Sequence, residues 1–260
     1  MSIAERNVYP TQPRQLSDEI DVLLANAKPI EIEGDPIALI VPDSNLVAGG
    51  KVAAMAFSLL KGRTYDTVML IAPSHDGEFG RISICTSDQY FTPIGEVPVN
   101  DRLRHELCDE DDDIFLDDRG HYHVEGVDVQ VPFLLRALEP GFDIVPIVMG
   151  EESPAFCKEL GTALGEVMYG RRTLIVASAD ILHAEDGALD EMKQAFESFD
   201  TPELLHLLGS ERVRLEGIGA VVAAVIAAQH RGANQARLLH VEAPNDEDEV
   251  GAIAGVLWRA

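Results

Sequence analysis

Continuous apolar runs, rather than alternating apolar and polar residues, are the feature that most constrains this chain. Four such runs, rich in Val and Ile, are separated by segments with helical periodicity: IALIVP (37–42), TVMLIAP (67–73), FDIVPIVMG (142–150) and TLIVAS (173–178). Strands without alternation are typical of a largely parallel sheet that is covered on both faces. The pattern therefore predicts an α/β fold in which helices sandwich a mostly parallel or mixed central sheet.

Segments with helical periodicity lie between and around these strands. They cover residues 16–27, 50–60, 127–138, 155–168, 188–199 and 217–229, and a late strand pair is predicted at 236–242 and 251–258. No repeat at a fixed period and no linker rich in Pro, Gly or Ser divides the 260 residues. We therefore expect one domain over residues 1–260.

The charge balance argues against two classes of partner. The chain has 45 acidic and 20 basic residues, which gives a formal net charge of −25 at pH 7. A surface this negative repels phosphate backbones and anionic lipid headgroups, so we expect neither nucleic acid nor a membrane surface as a partner. The acidic clusters at 109–113 and 245–249 are more typical of solvated loops than of metal sites.

Cysteine usage and the first residues indicate a cytoplasmic protein. Cys85, Cys108 and Cys157 fit neither a zinc knuckle nor a CxxC redox pair, and their odd number argues against a disulfide framework. The opening residues contain no apolar segment of the kind that secretory signals carry. The longest apolar run, 217–228, is too short to span a bilayer and predicts a buried helix.

Three of the predicted strands end in side chains that can bind metal. The first runs into Asp43, the second into Ser74 and His75, and the fourth into Asp180, with His183 three residues on. Ligands of open parallel sheets bind beyond the carboxyl ends of the strands, and carboxylates with imidazoles there suit Fe, Zn, Cu or Mn. Each residue alone also has a structural interpretation, as a helix N-cap for the two aspartates and as a backbone-bonded loop residue for the histidine.

Glu216 and a histidine pair are further candidates. Glu216 precedes the glycine that opens the predicted helix at 217–229, where the helix dipole stabilises an acid whatever its role. His121 and His123 would share one face of a strand and could ligate a metal, but two surface histidines explain the spacing equally well. A hydrolase is disfavoured because no GxSxG motif is present, and no glycine-rich phosphate-binding motif occurs.

Seven segments, in order along the chain, resemble the Memo-like family. They are Tyr9-Pro10 with the helix that follows, IVPDSNLVAGG (40–50), APSH (72–75), VEGVDVQVPFLL (124–135), IVPIVMG (144–150), SADILH (178–183) and LEGIGAV (215–221). The family patterns they are similar to include VPHAGY, GPSH, EHSxExQLPFL and SSDxSH. The family's fold is similar to that of the class III extradiol ring-cleaving dioxygenases, which use non-haem iron, so the resemblance implies that fold here.

The resemblance implies a metal site made of Asp43, His75 and Glu216. Asp43 stands where the family has its first metal-ligand histidine, and His75 is retained. Glu216 stands where the family has a cysteine and where the ring-cleaving dioxygenases also use a glutamate. Glu125 replaces the histidine of EHSxE. The residues that the resemblance places around the ion or the substrate are Ser74, Glu125, Asp180 and His183.

This ligand set changes the metal that the family resemblance would imply. One imidazole and two carboxylates form a harder and more anionic site than two imidazoles and a thiolate. Loss of the cysteine removes the ligand that holds a soft metal. The expected cofactor is therefore a divalent ion, Fe or Mn rather than Cu.

Two functions follow from the resemblance. In the first, the chain is a metal-dependent oxidoreductase in which His183 is the general acid or base and Asp180 orients it. In the second, it is a binding or accessory protein whose sheet-edge crevice takes a small molecule or peptide, with metal held weakly or not at all. Asp43 in place of histidine and Leu46 in place of the family's tyrosine favour the second. The resemblance also implies radical-SAM and AMMECR1-like proteins as partners.

Overall fold

A mixed sheet with helices on both faces forms the framework of the protein. The structure is a computed structural model that describes residues 8–28, 30–77, 79–108, 113–123, 125–207, 210, 212–245 and 249–260, with the backbone alone at positions 123 and 125. Within these residues the main sheet has ten strands, and a two-stranded hairpin is separate from it.

Four parallel strands lie at the centre of the sheet. The strands are β1 Pro36–Val41, β2 Thr67–Pro73, β3 Ile82–Ile84, β4 Gln89–Thr92, β5 Gly95–Pro98, β6 Ile114–Leu116, β7 Asp143–Met149, β8 Thr173–Ser178, β9 Asp180–Ala184, β10 Val213–Glu216, β11 Gln235–Glu242 and β12 Gly251–Trp258. Their order is β10-β9-β12-β1-β8-β2-β7-β3-β6, with β11 paired to β12, while β4 and β5 form the hairpin. Neighbours β1, β8, β2 and β7 are parallel, and β12 and β3 join them antiparallel on either side.

Eight helices are found in the part of the chain that the structure describes. They are α1 Pro13–Asn26, α2 Leu46–Phe57, α3 Asp101–Leu107, α4 Glu125–Ala137, α5 Pro154–Val167, α6 Ala188–Glu197, α7 Thr201–Leu207 and α8 Ile218–His230. Single turns of 3-10 helix lie at Ser58–Leu60 and His121–His123.

Separate apolar cores cover the two faces of the sheet. Successive side chains of a strand point to opposite faces, and in β1 Ala38 and Ile40 belong to one core while Leu39 and Val41 belong to the other. Helices α5 to α8 pack in the first core, and α1, α2 and α4 in the second. The central strands are buried at nearly every position for this reason. The predicted fold class is confirmed.

The long elements predicted from periodicity are present, with ends that differ by a few residues. The helix predicted at 50–60 begins at Leu46, because the Asn45 side chain accepts hydrogen bonds from the backbone N–H groups of Val47 and Ala48 and caps the helix. The sequence pattern missed the short strands, which have three to five residues each and so show no measurable period: β3, β4, β5, β6, β9 and β10.

Helix α8 forms from the longest apolar run, and it is buried from Ile218 to Ala228. It packs closely against α5, since a Cβ built at Gly161 would lie 2.7 Å from Cβ of Ile226. No helix among the described residues is both long and apolar enough to cross a membrane. Residues 109–112 and 246–248, which make up most of the two acidic clusters, lie outside the described residues.

The contact between α5 and α8 predicts a large effect at one glycine. Gly161→Val should lower the free energy of unfolding by about 1–3 kcal/mol, because the added methyl groups overpack the helix contact. Ala155→Val changes an exposed position of the same helix. It should lower the free energy of unfolding by less than about 1 kcal/mol, which is the cost of the lower helix propensity of Val. Urea denaturation followed by circular dichroism measures both. Equal losses at the two positions would contradict the close packing.

Candidate metal centre

Asp43, His75 and Glu216 meet at the carboxyl edge of the parallel strands, although they are far apart in the chain. Asp43 follows β1, His75 follows β2, and Glu216 is the last residue of β10. One ligand atom of each lies within 4.8 Å of the other two. The three side chains that the sequence singled out are therefore close enough to share one ion.

The Asp43 carboxylate is buried, and both of its oxygens are bonded. The residue is 2% exposed. The Ser178 hydroxyl donates to Oδ1 over 2.5 Å, and Nε2 of His75 lies 2.6 Å from Oδ2. The start of α4 packs against the same carboxylate. Its Gly126 is so close that a Cβ built there would overlap Oδ1 of Asp43 and Oγ of Ser178. The partial positive charge of a helix N-terminus stabilises an anion at this place.

His75 lies between the two carboxylates. Its Nε2 is 2.6 Å from Oδ2 of Asp43 and 3.7 Å from Oε1 of Glu216, and its side chain is 23% exposed. At 2.6 Å the ring N–H donates a hydrogen bond to Asp43. A metal ion needs the lone pair of the same nitrogen, so an ion bound here would replace this hydrogen bond.

Pairing of the edge strands brings Glu216 to the site. Glu216 lies opposite Asp180 in the antiparallel ladder of β10 and β9. Gly217 follows with φ +83°, and any side chain there would overlap the carbonyl oxygen of Ser178. Only glycine at position 217 therefore allows the turn after Glu216 to pack against the end of β8. The Glu216 side chain is 40% exposed, so it is the ligand that faces solvent.

Asp180 fixes the segment that carries Asp43. Its Oδ1 accepts the backbone N–H of Asp43 over 3.1 Å, and its Oδ2 accepts the Ser44 hydroxyl. Burial, together with the negative charges of Asp43 and Glu216, raises the pKa of Asp180 to about 7, although the two hydrogen bonds oppose the shift. The charged form of this acid is therefore disfavoured in the folded protein.

Glu152 is a further acid at this edge, and no pattern in the sequence singled it out. It lies three residues beyond the end of β7 and accepts the backbone N–H of Gly219 at Oε1 over 3.0 Å. Burial, with the charges of Asp43 and Glu216, raises the pKa of Glu152 to about 7. Asp43 and His75 were found by inspecting the residues that follow central strands. The same inspection of the residues after β7 would have found Glu152.

The remaining predicted residues lie in other surroundings. His183 is an exposed residue of β9 opposite Arg214. The predicted pairing of Asp180 with His183 has no hydrogen bond in the described residues, because both Asp180 oxygens are engaged by Asp43 and Ser44. The Ser74 hydroxyl donates to the carbonyl oxygen of Gly77 over 2.9 Å and closes the turn after β2.

The segment before α4 differs from its predicted form. His121 and His123 lie in a 3-10 turn and not on a strand, and the His121 ring bonds to the carbonyl oxygen of Ser83 at 3.2 Å. Glu125 begins α4, and its side chain lies outside the described residues, as does that of His123. The structure therefore neither joins Glu125 to the site nor separates it from the site.

The donor set fits a hard divalent ion. It offers one imidazole nitrogen and two carboxylates, which suit Fe(II) or Mn(II) better than a soft ion that needs thiolate. Ser178 bonds to the Asp43 carboxylate, and Asp180 accepts the backbone N–H of Asp43. Hydrogen-bond partners of this kind orient metal ligands. Ser178 is a second residue that the sequence analysis missed, although it ends β8 at the same edge.

The fold and this edge define a class of α/β proteins with a candidate metal centre beyond the carboxyl ends of parallel strands. A family model described as Memo-like protein matches residues 6–251. The chain belongs to the Memo-like family, as the seven motifs implied.

Several relatives support this assignment. A MEMO1 family protein of Thermoplasma volcanium is 25% identical over 257 residues, which cover 96% of this chain and 94% of the relative. One of Methanosarcina barkeri is 28% identical over 240 residues, covering 89% and 88%. An uncharacterized protein from Escherichia coli K12 matches in structure with a TM-score of 0.52 and 13% identity, over 85% of this chain and 99% of that one, which shows a shared fold alone.

The buried acid predicts a pH dependence of stability. Asp180 has a pKa of about 7 in the folded protein and an ordinary pKa of 3.8 in the unfolded chain. Its contribution to stability is therefore fully present below about pH 4 and is lost as the pH rises from there to about 7. Asp180→Asn keeps the acceptor for the Asp43 N–H. We compare the two proteins in chelator at pH 4 and pH 8. The free energy of unfolding should fall by roughly 2–4 kcal/mol less for Asp180→Asn than for the wild type over this range.

Urea titrations at a series of pH values measure this difference. Asp66→Asn is the control, because Asp66 is an exposed acid that bonds to Arg172 far from the site. If Asp180→Asn shows the same pH dependence of stability as the wild type, the pKa of Asp180 does not change on folding and the prediction is wrong.

Proposed function

We propose that the protein is a divalent-metal-dependent oxidoreductase that holds one ion between Asp43, His75 and Glu216. The observation that carries the proposal is the convergence of three ligand atoms, from three distant parts of the chain, within 4.8 Å of one another. Family membership supports it, because the chain keeps His75 and places carboxylates at the other two ligand positions that the resemblance implies. The ion that this donor set favours is Fe(II) or Mn(II).

The charge of the site supports a bound cation. Asp43 is 2% and Asp180 4% exposed, and the negative charges of Asp43 and Glu216 act on both Asp180 and Glu152. In the part of the chain that the structure describes, no Lys or Arg bonds to Asp43, Asp180 or Glu152. Buried like charges are relieved either by protonation, as the raised pKa values of Asp180 and Glu152 show, or by a bound cation, which would let these acids stay ionised. A divalent ion is such a cation.

Each residue of the chain has a defined task in this proposal. Ser178 and the start of α4 fix the Asp43 carboxylate, and Asp180 fixes its backbone. A divalent ion would supply a Lewis acid with open positions for a substrate. Proton transfer by His183, the exposed imidazole on β9, stays a prediction of the sequence, because the structure pairs this residue with Arg214 and not with the three ligands.

A binding or accessory protein is the second candidate, and the contact between His75 and Asp43 favours it. At 2.6 Å this hydrogen bond satisfies both groups without an ion. The edge could then serve as a crevice for a small molecule or peptide, and partners of the radical-SAM and AMMECR1-like types belong to this proposal as well.

Metal binding by matched variants separates the two candidates. We expect the reconstituted wild-type protein to bind one Mn(II) or Fe(II), and Asp43→Ala and His75→Ala to weaken binding by at least about tenfold, because each removes a ligand. Asp66→Ala and His105→Ala make the same chemical changes at exposed positions of other ion pairs and should bind as the wild type does. Elemental analysis and calorimetric titration measure occupancy and affinity.

Two outcomes would contradict the oxidoreductase. A folded wild-type protein that takes up no divalent ion, or binding that persists in both site variants, removes the metal centre and leaves the accessory function. Where iron does bind, oxygen uptake by the Fe(II) protein with a panel of catechols tests the redox chemistry. Stoichiometric iron without any uptake would leave a metal site of another chemistry.

A further inference from the structure

Glu152 is the acid at the sheet edge that neither the sequence motifs nor the three grouped ligands include. It lies in the connection between β7 and α5, and its side chain reaches the N-terminus of α8. The residues that it meets there, Gly217 and Gly219, lie one and three residues after Glu216 in the chain. Glu152 is therefore joined to the turn that carries one of the three ligands.

The backbone of that turn holds the Glu152 carboxylate. The N–H of Gly219 donates to Oε1 over 3.0 Å, and the backbone N–H of Gly217 also acts to lower the pKa of Glu152. A Cβ built at Gly219 would lie 2.9 Å from Cβ and 3.0 Å from Cγ of Glu152, so the acid occupies the space that a side chain at position 219 would need. These contacts fix the path of the chain on the C-terminal side of Glu216.

The same carboxylate is electrostatically coupled to the ligands. The negative charges of Asp43 and Glu216 both act on Glu152, from the end of β1 and the end of β10. Three carboxylates on three separate segments thus share one small region with the ring of His75. Glu152 is outside the group of ligand atoms that lie within 4.8 Å of one another, so its influence on an ion is through its charge and through the turn it holds.

We propose that Glu152 is a positioning residue of the cation site, which fixes the turn after Glu216 and adds a third negative charge that strengthens the binding of a divalent ion. This inference rests on the proposed metal centre and deepens it. When Glu152 is ionised and the His75 ring is neutral, Asp43, Glu216 and Glu152 together carry a charge of −3 before an ion binds, to which Asp180 adds where it also loses its proton. Such a site selects a divalent over a monovalent cation.

Glu152→Gln separates charge from hydrogen bonding, because the amide keeps an oxygen that accepts from Gly219. At pH 8 we expect its affinity for Mn(II) to fall by about 10- to 100-fold, the usual effect of removing an outer partner of a metal ligand. We expect the metal-free variant to melt higher than the metal-free wild type, by roughly 2–4 °C, because a repulsive charge has gone. A residue that only supports the fold would not give these opposite changes.

Glu151→Gln is the matched control. It makes the same change one residue earlier, where the carboxylate lies beside Gly80, and both Mn(II) affinity and melting temperature should stay at the wild-type values. Glu152→Ala removes the acceptor as well as the charge, and it should weaken Mn(II) binding further than Glu152→Gln does. Calorimetric titration with Mn(II) and thermal melts in chelator provide the two readouts.

The outcomes for Glu152 and for the metal centre are distinguishable. If the wild type binds Mn(II) and Glu152→Gln binds it equally well, the role of Glu152 is overturned while the metal centre stands. A metal-free Glu152→Gln protein that melts lower than the wild type also overturns it, because the charge would then be stabilising. If the wild type binds no Mn(II), the metal centre fails, and the role of Glu152 fails with it.

Discussion

The buried carboxylate of Asp43 is the constraint on which the rest of the site depends. It lies at the end of a central parallel strand, beneath the first turn of α4, where water cannot solvate it. A buried carboxylate without partners is strongly unfavourable, so its environment must supply donors. Ser178 and His75 do so, while Asp180 accepts the backbone N–H of Asp43 and holds the segment that carries it.

The same edge concentrates acids that folding alone would not favour. The pKa values of Asp180, which is buried, and of Glu152, which is half-buried, are both raised to about 7 by desolvation and by the charges of Asp43 and Glu216. Such arrangements lower stability and are typical of functional sites, where local strain is retained for a purpose. The apolar cores between the helices and the two faces of the sheet provide the stability that tolerates it.

The departures from the family pattern are linked to one another in space. By the resemblance of the motifs, Asp43 stands where the family has a histidine, and the start of α4 carries Gly126 where the pattern EHSxE has a serine. A Cβ at that position would overlap the Asp43 carboxylate, so the glycine accommodates the new ligand. Gly217 is required by the turn itself, because a side chain there would overlap the carbonyl oxygen of Ser178 whichever residue stands at position 216.

The sequence by itself determined the layered α/β fold, because continuous apolar strands and helical periodicity are local patterns set by burial on two faces. It also placed Asp43 and His75 at one sheet edge, since parallel strands end on the same side. Glu152 lies three residues after β7 and Ser178 is the last residue of β8, so the same rule would have reached both, but their hydrogen-bond partners lie far away in the chain. Their partners, and the convergence of Glu216 on the site, were decided only by the tertiary structure. The short antiparallel pairing of β9 with β10 and the packing of α8 join residues whose separation in the chain carries no local signal.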